Sequence, residues 1–149
     1  MLDIHGWVEV TRFSGADQED EHAWTAAIRL SGLVDVPDAV SERLFGLSSR
    51  YIAGEATAPA VAANRGLPPN PSDQVKFDRA RILDHEQKFG SGEFGGYTFA
   101  GWREIKAVTF TDEEWRESDW KLVFSLIREI ESDWRFSEDK IRIVAWYAW

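Results

Sequence analysis

The sequence predicts an α+β fold: a single domain over residues 1–149, with a mostly antiparallel sheet and helices packed on one face. Three observations carry this prediction. The N-terminal segment alternates apolar and polar residues with the period of a strand. The segment Asp119–Trp134 repeats apolar residues at helical spacing, and the closing KIRIVAWYAW is β-branched and aromatic. At 149 residues the chain can bury a core without a metal or a disulfide, and it is too short for two domains of ordinary size. No internal repeat or linker divides it.

Within residues 2–13, Ile4, Val8 and Val10 share one face of a strand, while Asp3, His5, Trp7 and Glu9 share the other, a solvated polar face by expectation. Ser14–His22 is acidic and polar and reads as a hairpin loop. Trp24, Ala26, Ile28 and Leu30 then alternate in a second strand that returns antiparallel to the first. Pro37 suits the first turn of a helix to about Leu47, with Val40, Leu44 and Leu47 on one stripe. Tyr51–Ala63 is rich in small residues and is expected to hold one short strand.

Asn64–Pro71 (NRGLPPNP) carries three prolines and a glycine, which predicts a stiff irregular loop. Ser72 caps a helix to about Glu86, with Val75, Arg79 and Ile82 one turn apart. Gly90–Gly96 (GSGEFGG) lacks both the Walker and the dinucleotide spacing and reads as a flexible connection. Tyr97–Ala100 forms a short strand and Trp102–Val108 a short helix. In the helix Asp119–Trp134, capped by Ser118 or Asp119, one stripe runs through Trp120, Val123, Phe124, Ile127, Ile130 and Trp134. Lys140–Trp149 has apolar residues on both faces, the mark of a central, doubly covered strand.

The chain has no cysteine, which excludes disulfides, thiolate zinc sites, iron–sulfur clusters and cysteine nucleophiles. Its net charge of −9 repels nucleic-acid polymers and anionic membranes at long range. No apolar run approaches the roughly 20 residues of a membrane span, and MLDIHGWVEV lacks the features of a signal peptide. A cytoplasmic location is the expectation. Eight tryptophans supply large rigid area, suited to a small core, to ligand stacking or to homo-oligomer contacts.

Chemistry has few candidates. There is no GxSxG, no HExxH and no calcium loop, so no residue set demands catalysis, and neither a metal nor a cofactor is expected. Asp3, His5 and Glu9 on the first strand, with His85, form one candidate polar site, and Asp3, His5 and His85 are the basis for a metal-assisted hydrolase. Binding has more to offer. Arg65 stands in the proline-stiffened loop, where its guanidinium is preorganised for a phosphate or carboxylate. Arg50, Tyr51, Tyr97, Phe99 and Trp102 add a further cation and stacking surfaces.

DIHGWVEV (3–10), LFGLSSRY (44–51), NRGLPPNPS (64–72), GYTFAGWREI (96–105) and IRIVAWY (141–147) follow one another in an order that resembles an uncharacterised family of small proteins of phages, prophages and bacterial genomes. The resemblance covers most of the chain and highlights Asp3, His5, Glu9, Arg65, Gly66, Pro68, Arg142 and Trp146. The family's Asp-x-His-Ser-x-Ser/Thr-Trp stretch falls on Glu93–Phe99, where Gly95 stands in place of the histidine; Asp84–His85 are the alternative carriers. That departure shifts the implied role from chemistry to binding. The opening DIHGW is similar, over a shorter stretch, to a family of polymorphic-toxin immunity proteins.

The leading expectation is therefore a non-catalytic binding protein of the phage–bacterium conflict type, sequestering a small anionic ligand such as a signalling nucleotide. The alternatives are an acidic immunity protein that neutralises a basic toxin, and the metal-assisted hydrolase.

Overall fold

The two ends of the chain meet in the middle of its sheet. In the computed structural model, which describes all residues 1–149, the N-terminal strand β1 (Asp3–Thr11) pairs antiparallel with the C-terminal strand β4 (Ile141–Ala148), from Asp3 opposite Ala148 to Val10 opposite Ile141. β2 (Trp24–Arg29) adds to β1 and β3 (Phe94–Gly101) adds to β4, giving the antiparallel order β2-β1-β4-β3. β4 is thus central, and all of its residues but Tyr147 are buried, as its two-sided apolar sequence predicts.

Six helices complete the domain: α1 (Ala39–Phe45), α2 (Ser49–Ile52), α3 (Asp73–Phe89), α4 (Trp102–Lys106), α5 (Asp112–Arg116) and α6 (Trp120–Glu131). The α+β class stands, but the helices occupy both faces of the sheet. Ile4, Val8, Ile143 and Ala145 face the main core, where they meet α1, α4 and α6 through Leu44, Ile105, Val123 and Ile127. An aromatic cluster fills this side, with Phe124 edge-on to Trp102 and packed against Trp115 and Trp120. Val144 and Trp146, which alternate with those residues along β4, pack instead on Val75 and Ile82 of α3. The face of β1 expected to be solvated is therefore roofed by α3, and Glu9 is wholly buried there. One helix stripe of two core residues was too faint to announce a second covering layer.

Other departures are local. No strand forms in Tyr51–Ala63; α2 and turns replace it, and the N–H groups of Val61 and Ala62 donate to the carbonyls of Arg43 and Leu44 at the end of α1. The α6 helix stops at Glu131, so Trp134 leaves the apolar stripe and is 88% exposed. Asp119 makes no side-chain cap, and the Ser118 hydroxyl accepts from the N–H of Trp120 instead. Ser72 caps α3 through the N–H of Val75. No helix is long and apolar enough to cross a membrane.

Candidate functional site: the cleft between the sheet and helix α3

Glu9 and Arg142 sit opposite each other in the β1–β4 register, on the face that α3 covers. Glu9 Oε1 accepts from Arg142 Nε at 2.6 Å, and its Oε2 accepts from the backbone N–H of Ser72 at 2.6 Å. Arg142 also donates to the carbonyl of Asn70 at 2.7 Å, and its guanidinium lies 3.8 Å from the centroid of the Trp24 ring. Burial lowers the Arg142 pKa from its usual value, against the opposing pull of Glu9. This buried network ties the end of the proline loop and the start of α3 to the middle of the sheet. Glu9 is a structural anchor, engaged through both carboxylate oxygens.

Further along the same face, α3 and the sheet diverge and leave a cleft of about 320 Å³. Its sheet side carries His5, Gly6, Trp7 and Trp146, with Arg29 and Ser31 from the β2 end. The register explains the grouping, since Trp146 lies opposite His5 and Arg29 lies opposite Trp7. The helix side carries Asp78, Arg81, Ile82 and His85, residues three and four apart and so on one face of α3.

Several of these groups are held in place. The Trp7 indole N–H donates to Asp78 at 2.8 Å, and Gln74 donates to the other oxygen of the same carboxylate at 3.2 Å. His5 Nδ1 is hydrogen-bonded to the Ser31 hydroxyl at 3.2 Å, which leaves Nε2 unpaired. His85 Nε2 is paired with the Glu93 carboxylate. Arg29 and Arg81 have no ion-pair partner within 4 Å. In a chain of net charge −9, two guanidinium groups face this cleft against one lining carboxylate, Asp78, whose partners are the neutral Trp7 and Gln74, so the lining keeps a net positive charge.

The residues singled out in the sequence are distributed as follows. His5 and His85 share the cleft, whereas Asp3 and Glu9 do not line it. No group of three histidine or carboxylate side chains is assembled with metal-binding geometry. Arg65 is engaged elsewhere, donating to both oxygens of Glu104 at 2.7 and 2.8 Å and to the carbonyls of Val61 and Phe99. Its hydrogen bond to Glu104 raises the Arg65 pKa above the usual value. Arg50 pairs with Glu42, and the Tyr51 hydroxyl accepts from the N–H of Ala60. Tyr97 packs under Arg79 and accepts from it at 2.8 Å; burial raises the Tyr97 pKa and Arg79 opposes the rise. Phe99 packs beside Val144 and Trp146, and Trp102 is sealed in the opposite core. These six residues thus form no common pocket: local acids, carbonyls and packing engage the first five separately, and Trp102 is buried with its indole N–H unpaired.

Sequence reasoning passed over Arg29, Ser31, Asp78 and Arg81. The available signal was the polar set Asp78, Arg81 and His85 at helical spacing beside the core residues Val75 and Ile82, a stripe too polar for packing alone. Arg65→Ala is expected to cost about 1–2 kcal/mol, because a half-exposed ion pair contributes up to about 1 kcal/mol and the bidentate contact and two carbonyl bonds add to it. Urea denaturation checks this, and a loss above about 2 kcal/mol would show that the loop depends on Arg65 for its docking. Comparisons with protein-family models, with curated proteins and with solved structures return no match to this chain.

Proposed function

We propose that the protein binds a small organic anion, such as a signalling nucleotide, in the cleft between α3 and the sheet, and acts by sequestering it. One observation carries this reading: Arg29 and Arg81, from two separate elements, line the same cleft and neither has an ion-pair partner. A volume of about 320 Å³ lies near the lower end of small-molecule sites, roughly 300–1,000 Å³, which suits a nucleotide-sized ligand rather than a folded partner. Trp7 and Phe94 supply flat rings beside the two cations, and Asp78 and Ser31 supply polar groups for orientation. The net charge of −9 does not oppose this strongly, because salt screens it over about 8 Å. The resemblance to proteins of phages and prophages supports a role in phage–bacterium conflict.

Isothermal titration against cyclic nucleotides, nucleoside monophosphates and nucleotide–ribose compounds tests the reading. Saturable binding is expected, with Arg29→Ala and Arg81→Ala each weakening it by about tenfold or more, the loss of a charge-assisted bond. Arg65→Ala should leave the affinity unchanged. Silence across the panel, or full affinity in both cleft variants, would overturn the proposal. The exposed acidic residues Asp17, Glu19, Asp20 and Glu21 favour a second reading, inhibition of a basic toxin, and a basic protein retained at low salt by a protein that ignores the ligand panel would establish it.

A further inference from the structure

Resting on the anion-binding reading, we infer that the ligand is a dinucleotide, with one base in the cleft and the second in an adjoining depression on the outer side of α3. This second hollow, about 440 Å³ and more open, shares Arg81 and His85 with the first. The two side chains therefore form a ridge between neighbouring hollows. Each hollow presents aromatic rings to the ridge. The His85 ring lies 4.9 Å from Phe89 on the outer side and 5.7 Å from Phe94 on the cleft side, and the Arg81 guanidinium lies 5.8 Å from the Phe77 ring.

Phe77 is 57% exposed and Phe89 76% exposed, so neither gains much from burial in the fold. Stacking on a base gives both rings a use, since every base offers a flat face to an aromatic side chain. Charge points the same way. In the outer hollow Asp84 and Lys88 pair at 3.0 Å and cancel, which leaves Arg81 as the uncompensated cation at the crossing point. A phosphate linkage lying over the ridge would meet Arg81, with Arg29 across the cleft, while the His85 imidazole beside it stays engaged by the Glu93 carboxylate. A single nucleotide fills one hollow and leaves the other empty. Two bases joined through phosphate match the sequence of ring, cation and ring.

The test is titration of the intact protein with AMP, the linear dinucleotide pApA and a cyclic dipurine dinucleotide. At least one dinucleotide is expected to bind tenfold or more tightly than AMP, the scale of one added stacking contact. Phe89→Ala should remove that advantage while leaving AMP affinity and thermal unfolding unchanged. Phe77→Ala should act in the same direction. Equal affinity for AMP and both dinucleotides would overturn the inference and leave the anion-binding reading standing. Binding of neither would remove both. If the phenylalanine variants instead abolish a dimer in sedimentation and leave dinucleotide affinity intact, the outer face serves self-association and the inference fails.

Discussion

Gly6→Ala is expected to destabilise the protein by at least about 3 kcal/mol, the upper range for a residue forced into a sparsely populated backbone conformation. Gly6 lies in β1 with φ +140°, where L side chains rarely sit. A Cβ there would stand 2.0 Å from the carbonyl oxygen of Val144 and 2.8 Å from the Cα of Ala145. Both obstacles belong to the backbone of β4, so no rotamer change relieves them, and the two central strands must separate. Gly6 also lines the cleft, so the same shift should deform the proposed ligand site. A urea titration beside Gly101→Ala measures the effect. The control should cost no more than about 1 kcal/mol, because a Cβ at Gly101 meets nothing within 4 Å and only the N-cap preference at α4 is lost. Equal midpoints for the two variants would refute the account of β1 given above.

Arg142→Met should cost about 3–5 kcal/mol, the usual result of stranding one member of a buried ion pair. The variant leaves the Glu9 carboxylate fully buried with only the Ser72 N–H for a partner, and it frees the Asn70 carbonyl. Glu9→Leu alone should lose a similar amount, by stranding the guanidinium and the Ser72 N–H. Combining Glu9→Leu with Arg142→Met should recover much of the loss, since an apolar pair avoids the desolvation of two charges. On the anion-binding proposal, the double variant should still bind the ligand more weakly. Neither residue lines the cleft, yet both fix the point where α3 begins, and the helix carries Arg81 and His85 into position. Chemical denaturation of the two single variants and the double variant gives the coupling. A single-variant loss below about 1 kcal/mol would show that the proline loop holds α3 without the pair.

How much of this could be read in advance depends on the range of each interaction. The alternation of Ile4, Val8 and Val10 and the stripe of Val123, Phe124 and Ile127 are local periodicities, and each produced the expected element. The two-sided apolar character of β4 announced its central place. The partners of β4 are set by pairing across more than 130 residues in one case, which no local pattern encodes. Arg65 looked free because its acid, Glu104, is 39 residues away, and Glu9 looked solvated because its roof begins at Ser72. His5 and His85 were visible as residues, but their shared cleft follows from where α3 crosses the sheet. Arg29 was invisible for the same reason, since a surface guanidinium and a cleft-lining one have the same local sequence, whereas Arg81 carried the signal of its helical spacing with Asp78 and His85.

Because β1 and β4 are hydrogen-bonded neighbours at the heart of the sheet, the domain can close only once β4 has been made and has come back to β1. Until then the early hairpin has one unsatisfied edge and the helical core has no floor. Such long loop closure slows folding relative to a bundle of comparable size and lengthens the time during which sticky surfaces are on show. A net charge of −9 opposes contact between half-made copies in that interval, since like charges repel.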